Sequence, residues 1–386
     1  MSAPLVSIIV PTLREAANVP TVSRRIHAAM AGRPYELIVV DDDSRDGTVE
    51  ACEKLVAEHL PVKLIIRTDG RDGLSGAVLV GMAAARGDLL VVMDADLQHP
   101  PERIPALLEP IERGEAEFAL GSRYVEGGGV AEMWSLLRRI NSRVATWLAT
   151  PFARGVHDPM SGFFALPRCV YERGRYIAPT GYKIALELIC KCRAHPVQEV
   201  PIHFALRERG ESKLSFKEQI RYLEHLSRLY DFTYPRLVPA TKFLITVTGA
   251  LLIATTYFGL LGKAGVTPSW WFVASCYASG SCFSAALHAR YVRAERQYLI
   301  RKSPWRDFLV CTLAEIAAAG ATAAYLLHRV PSLSPAELLL IPFAVGTVVR
   351  YLLRKELVLD VRGLRYMPGY SERRAPAAID ATSHAK

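Results

Sequence analysis

The chain of 386 residues is 51% apolar and 22% charged, with a mean hydropathy of +0.15 and a formal net charge of +9. Ample apolar content and low net charge per residue exclude intrinsic disorder, and the length fits about two or three domains. Residues 1–235 carry 29 basic and 30 acidic residues, residues 236–386 carry 18 and 8, so the positive excess sits wholly in the C-terminal part; the N-terminal part lacks the basic surface that nucleic-acid binding needs.

Val6–Val10 is the first predicted strand, with no basic stretch before it, so it reads as a strand rather than a signal peptide. Further apolar runs at Glu36–Val40, Val62–Ile66 and Leu89–Met93 alternate with helix-like stretches at Asn18–Ala31, Thr48–Glu58 and Ser75–Arg86. Short Val- and Ile-rich runs of this kind read as buried parallel strands, and their alternation with helices predicts a doubly wound α/β sheet. Ligands of such sheets bind at the carboxyl ends of the strands, which is where Asp41-Asp42-Asp43 and Asp94-Ala95-Asp96 fall. The seven cysteines include no CxxC pair and read as reduced, mostly buried thiols of a reducing compartment.

Asp94 and Asp96, two residues apart just past a strand, can face one side. With the amide oxygen of Gln98 they offer the hard ligands that suit a divalent cation, Mg²⁺ or Mn²⁺, able to bridge substrate phosphates. In the earlier cluster, Ser44 or Asp46 can cap the helix that follows. Met133–Phe152 and Phe216–Tyr234 carry apolar residues at spacings of three and four, with arginines between them in the first; both read as amphipathic helices in a membrane interface, with core packing as the alternative.

Past Lys242 the character changes. Phe243–Gly262 and Pro268–Ala289 are uncharged, Phe308–Leu327 contains only Glu315, and Leu333–Val349 only Glu337. Each run approaches the roughly 20 residues that cross a bilayer. Basic residues alternate between the loops, one (Lys263), then six (Arg290 to Arg306), then one (Arg329), then five (Arg350 to Arg365). That alternation predicts four transmembrane helices with both termini and the N-terminal domain in the cytoplasm. Glu315, an acid inside a run, is either a functional group or paired with a neighbouring Ser or Thr.

The motifs in order are Pro11–Asn18 (PTLREAAN), Asp41–Thr48 (DDDSRDGT), Gly73–Ala77 (GLSGA), Asp94–Pro101 (DADLQHPP), Gly121–Tyr124 (GSRY), Asp158–Phe164 (DPMSGFF), Gly181–Lys183 (GYK) and Phe204–Leu214 (FALRERGESKL). In this order and spacing the chain resembles the polyprenyl-phosphate glycosyltransferases of the dolichyl-phosphate mannose synthase type, inverting family-2 enzymes of GT-A fold. The C-terminal runs are similar, by pattern alone, to a fused GtrA-like membrane domain. The resemblance implies a GT-A (Rossmann-like) α/β domain over residues 1–215. After it come an interface helix over 216–236, a four-helix all-α transmembrane domain over 237–370 and a disordered tail over 371–386.

It also implies roles. Asp94, Asp96 and Gln98 would hold the metal and, with Pro11, Glu15 and Asp42, line the nucleotide-sugar pocket. Arg123, Arg138 and Ser142 would contact the acceptor phosphate, the last two sharing a helix face at i and i+4; Arg139 is the alternative to Arg138. Arg207 would neutralise phosphate charge in the closed site, and Asp96, Arg123 and Arg207 would carry the catalysis. The implied reaction moves mannose from GDP-mannose, or alternatively glucose from UDP-glucose, to a polyprenyl phosphate in the membrane. His99 and His157 are nearby candidates for a base. A processive polysaccharide synthase is the rival, but its Gln-x-x-Arg-Trp run is absent, Gln219 being followed by Ile220, Arg221 and Tyr222. A second rival has the membrane part act as a flippase for the lipid-linked sugar or as an assembly partner.

Overall fold

The structure, a computed structural model, describes residues 4–357 apart from 69, 71, 131–135, 154, 175–176, 178–182, 206–215, 235–236, 266–272, 281–303 and 331. It divides into two units, Met1–Thr233 and Tyr234–Lys386.

In the first unit the predicted strands form β1 (Val6–Thr12), β2 (Tyr35–Asp41), β3 (Val62–Ile66) and β4 (Leu89–Val92). They pair in parallel in the order β3-β2-β1-β4. Between them run α1 (Val19–Ala29), α2 (Thr48–Ala57) and α3 (Gly73–Ala84). Side chains alternate along a strand, so Ile8, Val10, Leu37 and Val39 enter a core with α1 and α2, while Ile9, Ile38 and Val40 enter another with α3. The α3 layer lies close: a Cβ on Gly81 would stand 2.4 Å from Ile9 Cγ2, so only glycine fits there.

The sheet continues past the strands that hydropathy predicts. Next come α4 (Ile104–Glu112), β5 (Phe118–Ser122), β6 (Gly129–Val130), α5 (Leu136–Ala153), β7 (Phe164–Pro167), α6 (Arg168–Glu172), α7 (Ile184–Lys191), β8 (Val197–Pro201), β9 (His203–Phe204) and α8 (Phe216–Thr233). The seven-stranded order is β3-β2-β1-β4-β7-β5-β8, and β7 runs antiparallel to both of its neighbours. The carboxyl ends of β1 to β5 and β8 therefore share one edge with the amino end of β7.

The predicted amphipathic segments are helical over Leu136–Ala153 and Phe216–Thr233, and residues 133–135 of the first lie outside the described residues. α5 buries Ala149, Phe152 and Ala153 and leaves Val144 and Trp147 exposed, the latter at 71%. α8 buries Tyr222, Leu226 and Leu229, with Leu223 exposed, and the Tyr222 hydroxyl donates to the Ala145 carbonyl of α5 at 2.6 Å. Between α7 and α8 lies a buried charge cluster. Lys191 Nζ donates to Glu187 Oε1 at 2.6 Å, and His225 Nε2 stands 2.8 Å from Glu187 Oε2.

In the second unit, α9 (Val238–Lys263), residues 273–280 and the segments Pro304–Arg329 and Pro335–Leu357 are helical. Among the described residues, three helices are long and apolar enough to cross a membrane: Leu244–Lys263, Leu309–Arg329 and Ala336–Leu353. Of the second predicted run only residues 273–280 are described; its remainder lies outside the described residues, as do the basic loop before Pro304 and the tail. Small residues (Ala250, Ala254, Ala319, Ala323) pack inside while Leu244, Leu252, Leu260, Leu309 and Leu313 point outward. That is the distribution of a bundle whose solvent is lipid. Glu315 is paired with Arg350 at 3.3 Å, both side chains 4% exposed, so an arginine of a later helix is one of its partners.

Candidate active site

The common sheet edge gathers the predicted residues from several strands. At the end of β1, Pro11 is buried in the strand and Thr12 Oγ1 donates to Asp41 Oδ1 at 3.0 Å. Asp41 is thereby committed to structure: its carboxylate also accepts from the Ser44 backbone at 2.7 Å and the Ser44 hydroxyl at 2.6 Å. Asp46, not Ser44, serves the next helix, accepting at 3.2 Å from the backbone of Thr48, the first residue of α2. Glu15 Oε2 accepts from Asn18 Nδ2 at 2.6 Å, which fixes the turn between β1 and α1.

Asp42, just past the end of β2, is held by an arginine just past the end of β3. Arg67 Nε donates to Asp42 Oδ1 at 2.7 Å and its Nη2 to the Gly73 carbonyl at 3.3 Å. Arg67 is buried and Asp42 nearly so, and this one arginine ties the acidic turn after β2 to the start of α3. Hydropathy could not find Arg67, because a single arginine after a strand carries no pattern.

The end of β4 presents Asp94, Asp96 and Gln98. Asp96 is buried and its Oδ1 accepts from the Gln98 backbone at 3.2 Å. Leu97 between them takes φ 61°, the left-handed turn that folds the segment back on itself. Gln98 Nε2 donates to the Ala205 carbonyl at 2.9 Å, which leaves its amide oxygen as the end able to ligate a cation. Gly162 gives Asp94 its space, since a Cβ there would lie 2.9 Å from Asp94 Oδ2. Among the described residues no three His, Cys, Asp or Glu side chains cluster as a metal site. The donor set, two carboxylates and one amide oxygen, is chemically suited to a Mg²⁺- or Mn²⁺-type ion.

His99 is buried between the rings of Phe163 and Phe204, with centroids at 5.5 and 5.1 Å. Burial pushes its pKa down to about 4, so the ring is neutral at pH 7 and a weak proton acceptor. His157 points to the surface and pairs with Glu199 at 2.7 Å. Neither histidine is set up as a general base.

At the end of β5, Arg123 makes a bidentate pair with Asp158, Nε to Oδ2 and Nη2 to Oδ1, both at 2.7 Å. Asp158 is fully buried and also accepts from the Arg123 backbone at 3.0 Å. Its own backbone donates to Glu199 Oε1 at 2.9 Å. Burial opposes the Arg123 charge, yet the Asp158 hydrogen bonds and charge hold its pKa above the ordinary arginine value. The guanidinium lies 5.3 Å from the Tyr124 ring, whose hydroxyl meets Ser142 Oγ at 2.7 Å. Ser142 is thus joined to the Arg123 corner. Arg138 lies one turn earlier on α5, and its side chain, like that of Arg139, is outside the described residues, as is the whole of Arg207.

Lys183 completes the edge. Its Nζ donates to the Met160 carbonyl at 3.2 Å, in the loop that enters β7. Burial and the nearby Arg123 charge lower its pKa to about 8, against the opposite pull of Asp158 and Asp94. Asp158, Gly162 and Lys183 all lie in motifs legible in the sequence. Their roles were not, because each partner is far away in the chain.

The sequence profile described as glycosyl transferase family 2 matches residues 7–173. A curated relative named dolichol-phosphate mannosyltransferase, from Pyrococcus furiosus, is 44% identical over 266 residues, covering 68% of this chain and 73% of its own length. A protein of the same name from Mycosarcoma maydis is 41% identical over 265 residues, covering 66% of this chain and 87% of its own. Among solved structures, glucosyl-3-phosphoglycerate synthase of M. tuberculosis aligns with a TM-score of 0.45 at 20% identity, over 60% of this chain and 81% of that one.

Proposed function

This chain is a member of glycosyl transferase family 2, and we propose that it transfers mannose from GDP-mannose to a polyprenyl phosphate of dolichyl type, with inversion at the anomeric carbon. The observation that carries the reading is the meeting, at one sheet edge, of the acidic group Asp94, Asp96 and Gln98 with the cationic corner of Arg123 and Lys183. A diphosphate leaving group and a phosphate acceptor need those two environments side by side.

An acceptor phosphate oxygen attacks the anomeric carbon, that C–O bond forms, and the bond from the sugar to the diphosphate breaks, releasing GDP. A phosphomonoester has its second pKa near about 6, so the nucleophile is anionic at pH 7 and needs no base. That agrees with the neutral buried His99 and the surface-paired His157. Asp94, Asp96 and Gln98 would hold a divalent metal, which supplies Lewis-acid stabilisation of diphosphate charge when bound. Arg123, fixed by Asp158, sets a rigid positive wall against which the acceptor is oriented. Pro11, Glu15 and Asp42 would line the nucleotide side, Ser142 with Arg138 would contact the acceptor phosphate, and Arg207 would neutralise phosphate charge in the closed site.

The exposed Val144, Trp147 and Leu223 of α5 and α8 suit the membrane interface, where the head of a lipid phosphate lies. Four spans and a cytoplasmic catalytic domain complete the proposal, motivated by the alternating loop charge. Transfer of radiolabel from GDP-mannose, beside UDP-glucose, to dolichyl phosphate in detergent tests the reaction. Labelled lipid formed only from UDP-glucose would refute the donor, and none from either would refute the reaction. Labelling of single cysteines placed in the loops of intact cells tests the topology.

A further inference from the structure

In the sheet β5 lies between β7 and β8, and Arg123 directly follows its last residue, Ser122. Glu199 stands on β8, level with Leu120 of β5 in the parallel register. Its carboxylate reaches the segment that leads into β7. There Oε1 accepts from the Asp158 backbone at 2.9 Å, and Oε2 accepts from the His157 backbone at 2.8 Å. The His157 ring adds a contact from Nδ1 to Oε2 at 2.7 Å.

Two consecutive backbone N–H groups therefore face one carboxylate, one on each oxygen. An ionised carboxylate offers acceptors at both ends, whereas an amide of the same shape offers an acceptor at one end and a donor at the other. The charge also makes such bonds stronger than neutral ones. The Glu199 side chain is 9% exposed, so water is poorly placed to replace it. The residue that it holds, Asp158, is the one that fixes Arg123. Asp158 takes Nε and Nη2 of the guanidinium at 2.7 Å each, and its Oδ2 also takes the Arg123 backbone N–H at 3.0 Å. In a fork-to-fork pair the guanidinium plane follows the carboxylate plane. A shift of the Asp158 backbone is therefore passed on to Arg123 as a turn of its fork.

We propose that Glu199 is a positioning residue for the acceptor: from β8 it sets the backbone of Asp158, and through Asp158 the direction in which Arg123 presents its guanidinium to the acceptor phosphate. The inference rests on the reading of Arg123 as an acceptor-phosphate contact and adds a residue behind it. A misplacement of about 1 Å can cost roughly a hundredfold in rate, so the loss of one of these bonds is large enough to read in the acceptor kinetics.

The test uses the full chain in detergent. Glu199→Gln keeps the shape and sets an NH₂ group against one of the two backbone N–H groups. His157→Ala removes the ring contact alone, and Arg123→Ala reports on the underlying reading. Initial transfer rates are measured against dolichyl phosphate at saturating GDP-mannose, and binding of GDP-mannose with Mn²⁺ is measured by calorimetry. Glu199→Gln should raise KM for dolichyl phosphate tenfold or more with donor affinity within twofold of wild type, while His157→Ala stays within twofold in both. A wild-type acceptor KM for Glu199→Gln, beside a raised one for Arg123→Ala, would overturn the proposal. So would a His157→Ala variant as impaired as the Gln variant, or a parallel loss of donor affinity, which marks a general disturbance of the fold. If the Gln variant does not fold, Glu199→Asp, which keeps both oxygens and withdraws them by one methylene, is judged by the same values; failure of both to fold makes Glu199 a structural residue and overturns the proposal. An unchanged acceptor KM for Arg123→Ala, or a wild-type chain that labels no lipid, brings down the underlying reading first and this inference with it.

Discussion

Replacing Glu187 with Gln should unlock α8 from the catalytic unit. The carboxylate sits between Lys191 at 2.6 Å and His225 at 2.8 Å, and all three side chains are nearly buried. Burial alone would raise its pKa, but His225 and Lys191 hold it down from 4.5 to about 2. At about 1.4 kcal/mol per pH unit that drop corresponds to roughly 3 kcal/mol. The figure agrees with the roughly 3–5 kcal/mol lost when one partner of a buried pair is removed. A unit of this size melts about 2–4 °C lower per kcal/mol, so the variant should lose on the order of 6–12 °C at pH 7. Because the folded-state pKa is depressed, the stabilisation is complete above about pH 4.5 and disappears as pH falls toward about 2. Near-UV circular dichroism melts of the detergent-solubilised chain at pH 7, 5, 4 and 3 follow the difference. A gap below about 2 °C at pH 7, or one that widens toward pH 3, would show that the cluster does not hold α8.

Gly162→Ala puts a Cβ 2.9 Å from Asp94 Oδ2 and forces that carboxylate to give by about half an ångström; the Mn²⁺ concentration for half-maximal transfer should rise roughly tenfold with little change in melting temperature. A superimposable Mn²⁺ titration would remove Asp94 from the metal set. Arg67→Ala frees Asp42 and the start of α3; GDP-mannose affinity should drop about tenfold or more by calorimetry, since charged buried hydrogen bonds contribute roughly 1.5–3 kcal/mol each. Asp96→Ala should abolish transfer while the chain stays folded and membrane-bound, and full activity in a well-folded sample would contradict its assignment.

The first half of the sheet was legible because each of its strands is a short apolar run that ends in acids or polar residues. The second half was not. β5 is only five residues, of which Ala119, Gly121 and Ser122 are small, and nothing in Phe164–Pro167 announces that β7 runs backwards. Direction is set by where the chain re-enters the sheet after α5, which is a tertiary matter. The acidic site could be read for the opposite reason: Asp94, Asp96 and Gln98 are local, and their spacing carries the chemistry. The pairs Arg67–Asp42 and Arg123–Asp158 bridge residues 25 and 35 apart, which no spacing rule connects. Lys183 was visible only as a letter in a motif until the Met160 carbonyl placed it. In the membrane unit, hydropathy located the runs but not a partner of Glu315 that lies on the next helix.

The Glu315–Arg350 pair also bears on how the chain is made. Glu315 lies inside the candidate span Leu309–Arg329 and Arg350 near the end of Ala336–Leu353, and an unpaired ionised side chain within a span opposes insertion. Paired at 3.3 Å, the two charges largely cancel that opposition. Their helices are consecutive, one ending at Arg329 and the other beginning at Pro335. Pairing across two consecutive helices favours their entering the membrane together as a hairpin. The last steps of membrane integration then depend on the pairing of two segments rather than on the hydropathy of each segment alone.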